Sequence, residues 1–255
     1  MCYNVTYTKR KVEKLAKHKG IAKSDVPLFP EAYWSSGFGN PQLPVITNNS
    51  QRKIQMLPWG IIPAWTKNSK DAILSQRKYL NARDDNVFSS RVWRELMKSK
   101  RCIICLHGFY EYHHVDKNTK IPYLVTLKDD QPMIMAGLWD HWLDKEHNIE
   151  RTTITMVTTQ ANHQMKQIHN NPDVMKRGGA RMPVILPLPL IEKWLNIDVV
   201  EKADQEELQT IMDPYPAEEM DFKTVGQLAG KTGIGNKPNA WQEIDWPIIG
   251  LPQIN

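Results

Sequence analysis

The chain opens on alternation. Tyr3, Val5 and Tyr7 are large and apolar, and Asn4, Thr6 and Thr8 between them are polar. That period of two predicts a strand with the aromatic and valine side chains on one face. Val12, Leu15 and Ala16 follow at helical spacing, and Gly20 supplies a stop. Residues 24–52 are rich in Pro, Gly, Ser and Asn and read as mostly irregular. A strand is expected at 55–62, and Phe88, Val92, Trp93, Leu96 and Met97 predict a helix over 86–99. Short β-like runs follow at 101–106, 109–112, 122–127, 133–138 and 152–158. A helix at 161–168, a strand at 183–186 and helices at 188–196 and 205–212 complete the pattern. Residues 223–255 are again rich in Gly, Asn and Pro and read as an irregular C-terminal segment. Many short strands with few helices between them predict an α+β fold. The expectation is one domain over 1–255, with a mixed, barrel-like sheet core flanked by short helices.

Composition narrows the function classes. At 41% apolar and 24% charged residues, the chain has the make-up of an ordinary globular protein. No run of about 18 apolar residues exists, so no membrane span is expected. The N-terminus lacks an apolar signal region, and there are only three cysteines, an odd count. Together these point to free thiols in a reducing cytoplasm. The net charge of +5 is compatible with a polyanionic partner without requiring one.

Several motifs fail on inspection. Cys102 and Cys105 have CxxC spacing but sit in one apolar strand-like run, where they face opposite ways. They read as small core residues. Gly226–Thr232 resembles a phosphate-binding loop but is one residue too short between its glycines. The pairs His113/His114 and His141/His147 lack metal-site spacing and read as surface histidines. No metal or cofactor is expected.

Cys2 is different. Removal of Met1 would give it a free α-amine of pKa about 7.7–8.0 beside a thiol near 8.5. The amine condenses with an aldehyde to an imine, and the thiol closes onto the imine carbon to give a thiazolidine. A reactive aldehyde is therefore the fitting substrate. Four further segments carry chemistry-bearing residues: Trp59–Trp65 (WG-x-x-P-x-W), Asn81-Ala82-Arg83, Gly108–Tyr112, and His169 with Arg181–Leu186.

In this order, over residues 1–190, these segments resemble the SRAP family, the SOS response-associated peptidases that process abasic sites. The resemblance implies covalent capture of the ring-opened sugar of an abasic site in single-stranded DNA, with Cys2 as the crosslinking residue. It implies Glu111 as acid/base, His169 as assistant in sugar opening and crosslink reversal, and Asn81 as the positioning residue. Arg83 and Arg181 then fit phosphate contacts, and Trp59 beside Gly60 fits an aromatic stacked against exposed bases. Trp65 reads as core. A monomer that joins the nucleoid when bound to DNA is expected.

The chain departs from the family's usual Met-Cys-Gly-Arg start with Tyr3-Asn4. It also carries residues 170–180 between His169 and Arg181. That stretch holds Lys176, Arg177 and two glycines and reads as a basic loop beside DNA. The abasic-site reading leaves room for AP-lyase action, and two alternatives stay open: a cysteine peptidase using Cys2, His169 and Glu111, including self-removal of Met1, and a non-enzymatic single-strand-binding module.

Overall fold

The computed structural model describes residues 2–145, 147–247 and 251–252. Its elements begin with β1 (Asn4–Tyr7), α1 (Lys9–His18), β2 (Ala32–Ser36), β3 (Gln42–Thr47) and β4 (Gln55–Pro58). Next come α2 (Ser69–Lys78), β5 (Asn81–Arg83), α3 (Arg94–Ser99), β6 (Arg101–Leu106), β7 (Gly108–His114) and β8 (Lys120–Leu127). Then follow β9 (Met133–Asp144), β10 (Ile149–Gln160), α4 (His163–Ile168), α5 (Pro172–Lys176) and β11 (Arg181–Pro183). Helices α6 (Ile191–Asn196) and α7 (Lys202–Ile211) and strand β12 (Met220–Thr224) complete the order.

The fold is α+β, but the strands do not form a barrel. One sheet runs β12-β8-β7-β1-β2 and the other β11-β10-β9-β6-β3-β4, with β5 beside β10. Neither order returns to its starting strand. The two sheets share one core, to which Val5, Phe109 and Val125 contribute from the first and Ile103, Met135 and Ile154 from the second.

Local chemistry explains the early elements. The Thr8 side chain caps α1 by accepting from the Lys11 N–H, and Val12, Leu15 and Ala16 are its buried stripe. Gly20 takes a φ of 63°, a left-handed turn that suits glycine after a helix. Cys102 and Cys105 lie on β6 and are both buried, and burial pushes both thiols well above their usual range.

Other expectations need correction. Residues 24–52 contain β2 and β3, which pair with β1 and β6 despite their Pro, Gly and Ser content. The helix expected over 86–99 is restricted to α3, and residues 86–93 form turns that bury Val87 and Trp93. Helix α2 was not legible, because it buries only Ala72 and Gln76 while Ile73 and Leu74 face outward. The C-terminal segment is irregular in outline but packed. Trp241 stacks on His107 at 4.2 Å between ring centroids, and its indole donates to Thr6 Oγ1 and to the Tyr33 carbonyl. Val225, Leu228 and Ala240 are buried beneath it. Among the described residues, no helix is long and apolar enough to cross a membrane.

Candidate active site

The site lies where the two sheets meet. Strand β1 pairs with β7 through Asn4↔Tyr110, Val5↔Phe109 and Thr6↔Gly108. Continuing that antiparallel register puts Tyr3 level with Glu111 and Cys2, one residue earlier, level with Tyr112. From the other sheet, β10 pairs with β5 on one side and β11 on the other. Asn81 opens β5, and Arg181 opens β11.

Two direct contacts join the predicted residues. The Asn81 side-chain amide donates to the Cys2 carbonyl at 2.8 Å. A Glu111 carboxylate oxygen lies 3.6 Å from His169 Nδ1. His169 follows α4 directly, and its Nδ1 sits 2.9 Å from the Arg181 carbonyl. The Arg181 N–H approaches the same ring nitrogen at 3.4 Å. The other Glu111 oxygen accepts the Tyr112 N–H at 3.1 Å. The carbonyl oxygen of the Asn81 side chain is buried and has no hydrogen-bond partner among the described residues. A buried acceptor left in that state is unfavourable and is the natural seat for an incoming donor.

Electrostatics ties Cys2 to this group. The thiol is fully buried. Burial first, and the Glu111 charge second, push its pKa far above the usual value, so it stays protonated at neutral pH. Tyr112 responds to the same causes in the same order, burial and then Glu111, and its phenol is pushed up to about 12. Met1, whose removal would free the Cys2 amine, lies outside the described residues.

The residues expected to touch DNA divide into two sets. Trp59 is fully buried, and its indole donates to the Leu80 carbonyl at 2.7 Å, so no base can stack on it. Gly60 is closed in as well. At φ 112° it packs so tightly that a Cβ would lie 2.3 Å from the Gln76 carbonyl oxygen. Arg181 is also buried, with its guanidinium on the Asp84 carboxylate and the Thr158 carbonyl. Its side chain has no open face for a phosphate, and the site uses its backbone carbonyl instead. Arg83 is partly exposed, paired with Asp85 and overlaid by Gly178 of the 170–180 segment.

Trp65 reverses the core expectation. It is 49% exposed, with the Arg91 guanidinium 5.4 Å from its ring centroid. Its loop is held from below: the Ile62 N–H donates to Thr153 Oγ1, the Ala64 N–H to Asp140, and the Trp142 indole to the Thr66 carbonyl. The available signal was its place at the head of the polar run Thr66–Lys70. Phe38, 55% exposed, packs on Tyr3 at 4.9 Å beside Cys2 and gave no periodic signal. A polar cleft of about 540 Å³ is lined by His114, Asp116, Lys117, Lys120, Asn170 and Asp173 among others. A cleft of similar size between α1 and residues 21–29 shares none of the site residues. Among the described residues, no group of three or more His, Cys, Asp or Glu side chains is arranged to hold a metal.

Comparison with known proteins adds a second kind of observation. The family model for SOS response associated peptidases matches residues 1–232. The abasic site processing protein YoqW of Bacillus subtilis is 34% identical over 186 residues, covering 73% of this chain and 75% of that protein. The abasic site processing protein HMCES of Gallus gallus is 29% identical over 226 residues, covering 81% and 61%. A crystal structure of a Bacteroides thetaiotaomicron protein superposes with a TM-score of 0.80 at 31% identity, covering 95% of this chain and all of that one.

Proposed function

The chain belongs to the SOS response-associated peptidase (SRAP) family, and on that premise we propose that it processes abasic sites in DNA by capturing them covalently on Cys2. The substrate is the ring-opened aldehyde of an abasic site in single-stranded DNA. The Cys2 α-amine, freed of Met1, attacks the aldehyde carbon. A C–N double bond replaces the C–O double bond, and one water leaves. The Cys2 sulfur then adds to the same carbon while its proton passes to nitrogen, closing a thiazolidine. The balance is one aldehyde plus one N-terminal cysteine giving one ring and one water.

The observation that carries this reading is the setting of Cys2. Its thiol is buried, and burial first and the Glu111 charge second hold its pKa above the usual value. A carboxylate there takes the sulfur's proton as the C–S bond forms and returns it to nitrogen. The Asn81 side-chain oxygen, without a donor among the described residues, suits the amine or the hydroxyl of the opened sugar. His169 beside Glu111 supplies a second proton relay for opening the sugar ring. A cysteine peptidase needs the reverse, a thiolate stabilised by a neighbouring cation.

For DNA, Trp65 over its pinned loop offers the exposed stacking surface that Trp59 does not. Arg83, and Lys117 and Lys120 of the cleft lined by His114 and Asn170, offer phosphate partners. The test mixes the protein with intact and with abasic single-stranded oligonucleotides and looks for an adduct that survives denaturation. The expected result is an adduct with abasic DNA only, absent for Cys2→Ala and for a form retaining Met1. An adduct of equal yield on intact DNA contradicts the reading, whereas salt-sensitive binding without an adduct supports a binding module instead.

A further inference from the structure

Glu111 and His169 belong to different parts of the fold. Glu111 is on β7 of the first sheet, and His169 hangs from the end of α4 with its ring nitrogen on the backbone beside β11 of the second. No strand pairing joins β7 to β11 or to α4. Something else must fix the 3.6 Å between the two side chains.

Strand β7 is supported unevenly. On one edge β8 pairs along its whole length, as far as His114↔Lys120, with Pro122, which has no N–H to give, opposite Tyr112. On the other edge β1 covers only Gly108 to Tyr110. The stretch that carries Glu111 therefore runs past the end of its second neighbour. Along it, the Tyr112 N–H finds the Glu111 carboxylate itself. Further on, the His114 N–H donates to Asn170 Oδ1 at 2.7 Å, and Asn170 Nδ2 donates back to the His114 carbonyl at 2.9 Å.

A primary amide has the donor and acceptor of a peptide group, so this side chain occupies the edge as one residue of a missing strand would. Asn170 is itself the residue after His169, and its own N–H is tied to the Ile168 carbonyl. A third bond spans the same seam, between His113 Nδ1 and the Gln167 carbonyl at 2.9 Å.

We infer that Asn170 is a second positioning residue, beside Asn81: its two-point bond to the His114 backbone locks β7 against α4 and thereby sets the Glu111–His169 spacing. The catalytic consequence rests on the function proposed above, but the clamp does not. Geometry of this kind matters because a misplacement of about 1 Å can cost roughly 10²-fold in rate. The role is distinct from general stability, since the amide touches neither sheet's core and spans only the two segments that carry the reacting pair.

The test has two arms. The first needs no DNA. Amide hydrogen exchange at His114 should be about fivefold or more faster in Asn170→Ala than in the unaltered chain, and near the unaltered rate in Asn170→Asp, which keeps the acceptor. The second measures single-turnover adduct formation at saturating abasic single-stranded oligonucleotide, with the Kd measured separately. Asn170→Ala should slow the step about 10–100-fold with the Kd within about twofold. In a Glu111→Gln background the same change should slow it no further, because both act through one group. Unchanged His114 exchange in Asn170→Ala, or a rate loss that adds in full to that of Glu111→Gln, overturns the inference. An absence of any adduct in the unaltered protein overturns the function instead, and the exchange arm still decides the clamp.

Discussion

Trp59 and Trp65 stand six residues apart in one motif and do opposite things. Trp59 is sealed in the core with its N–H on the Leu80 carbonyl, while Trp65 stands half-exposed beside Arg91 on a loop pinned by Thr153, Asp140 and Trp142. The arginines divide in the same way. Arg181 is a buried partner of Asp84, and Arg83 is a partly open partner of Asp85. Residue type fits both members of each pair for DNA contact, and burial separates them. One half of the motif set builds the seam and the other half faces outward from it.

Substitutions test that division, the largest effects on the buried side. Trp59→Ala should cost about 3–5 kcal/mol in chemical denaturation, through the lost burial and the cavity left behind. Arg181→Ala should cost about as much, ~3–5 kcal/mol, because it strands the buried Asp84 carboxylate. If either variant kept full stability and lost DNA binding, the division would fail.

The buried side also predicts a pH dependence. Burial first, and Lys11 nearby second, lower the His107 imidazole from 6.5 to about 4 under the Trp241 ring. The unfolded chain therefore binds a proton that the folded one refuses. The contribution is present above pH 6.5 and is lost as the pH falls toward 4, up to roughly 3 kcal/mol. Melting curves across that window should show it, and His107→Phe should flatten it.

Effects on the exposed side are smaller and appear in binding. Trp65→Ala should leave stability within about 0.5 kcal/mol and weaken single-strand binding by about 1–3 kcal/mol. Arg83→Ala should lower the slope of log K against log salt by about one. The smallest expected signal is exchange protection of residues 172–180 on DNA binding, since Gly178 lies over Arg83. Protection absent there would remove that segment from the DNA path.

The same distinction explains what the sequence made legible. Alternation revealed β1, because Val5 is core and its neighbours bond across the sheet. Helical spacing revealed α1, because Val12, Leu15 and Ala16 form one buried stripe. Strands β2 and β3 were hidden because their partners, β1 and β6, supply the order that local composition lacks. Helix α2 was hidden because it shows no apolar stripe. The chemistry-bearing side chains Cys2, Asn81, Glu111 and His169 stood out by type and order. The fates of Trp59, Trp65 and Arg181 did not, because burial is decided by partners far along the chain, such as Leu80, Asp140 and Asp84. Asn170 was invisible for the same reason: its meaning lies in the end of β1, 166 positions before it.

The central claim is that Cys2 uses both of its nucleophiles on one aldehyde carbon. The Cys2-bearing peptide, cut from the adduct with abasic DNA and weighed before and after borohydride and a thiol alkylator, tests it most directly. The account predicts a peptide lacking Met1, joined to the sugar with loss of one water, and inert to both reagents because nitrogen and sulfur are closed in a ring. A mass that gains two hydrogens and an alkyl group would mean an imine alone. A linkage formed without loss of water would mean the thiol alone, and either result would contradict the account.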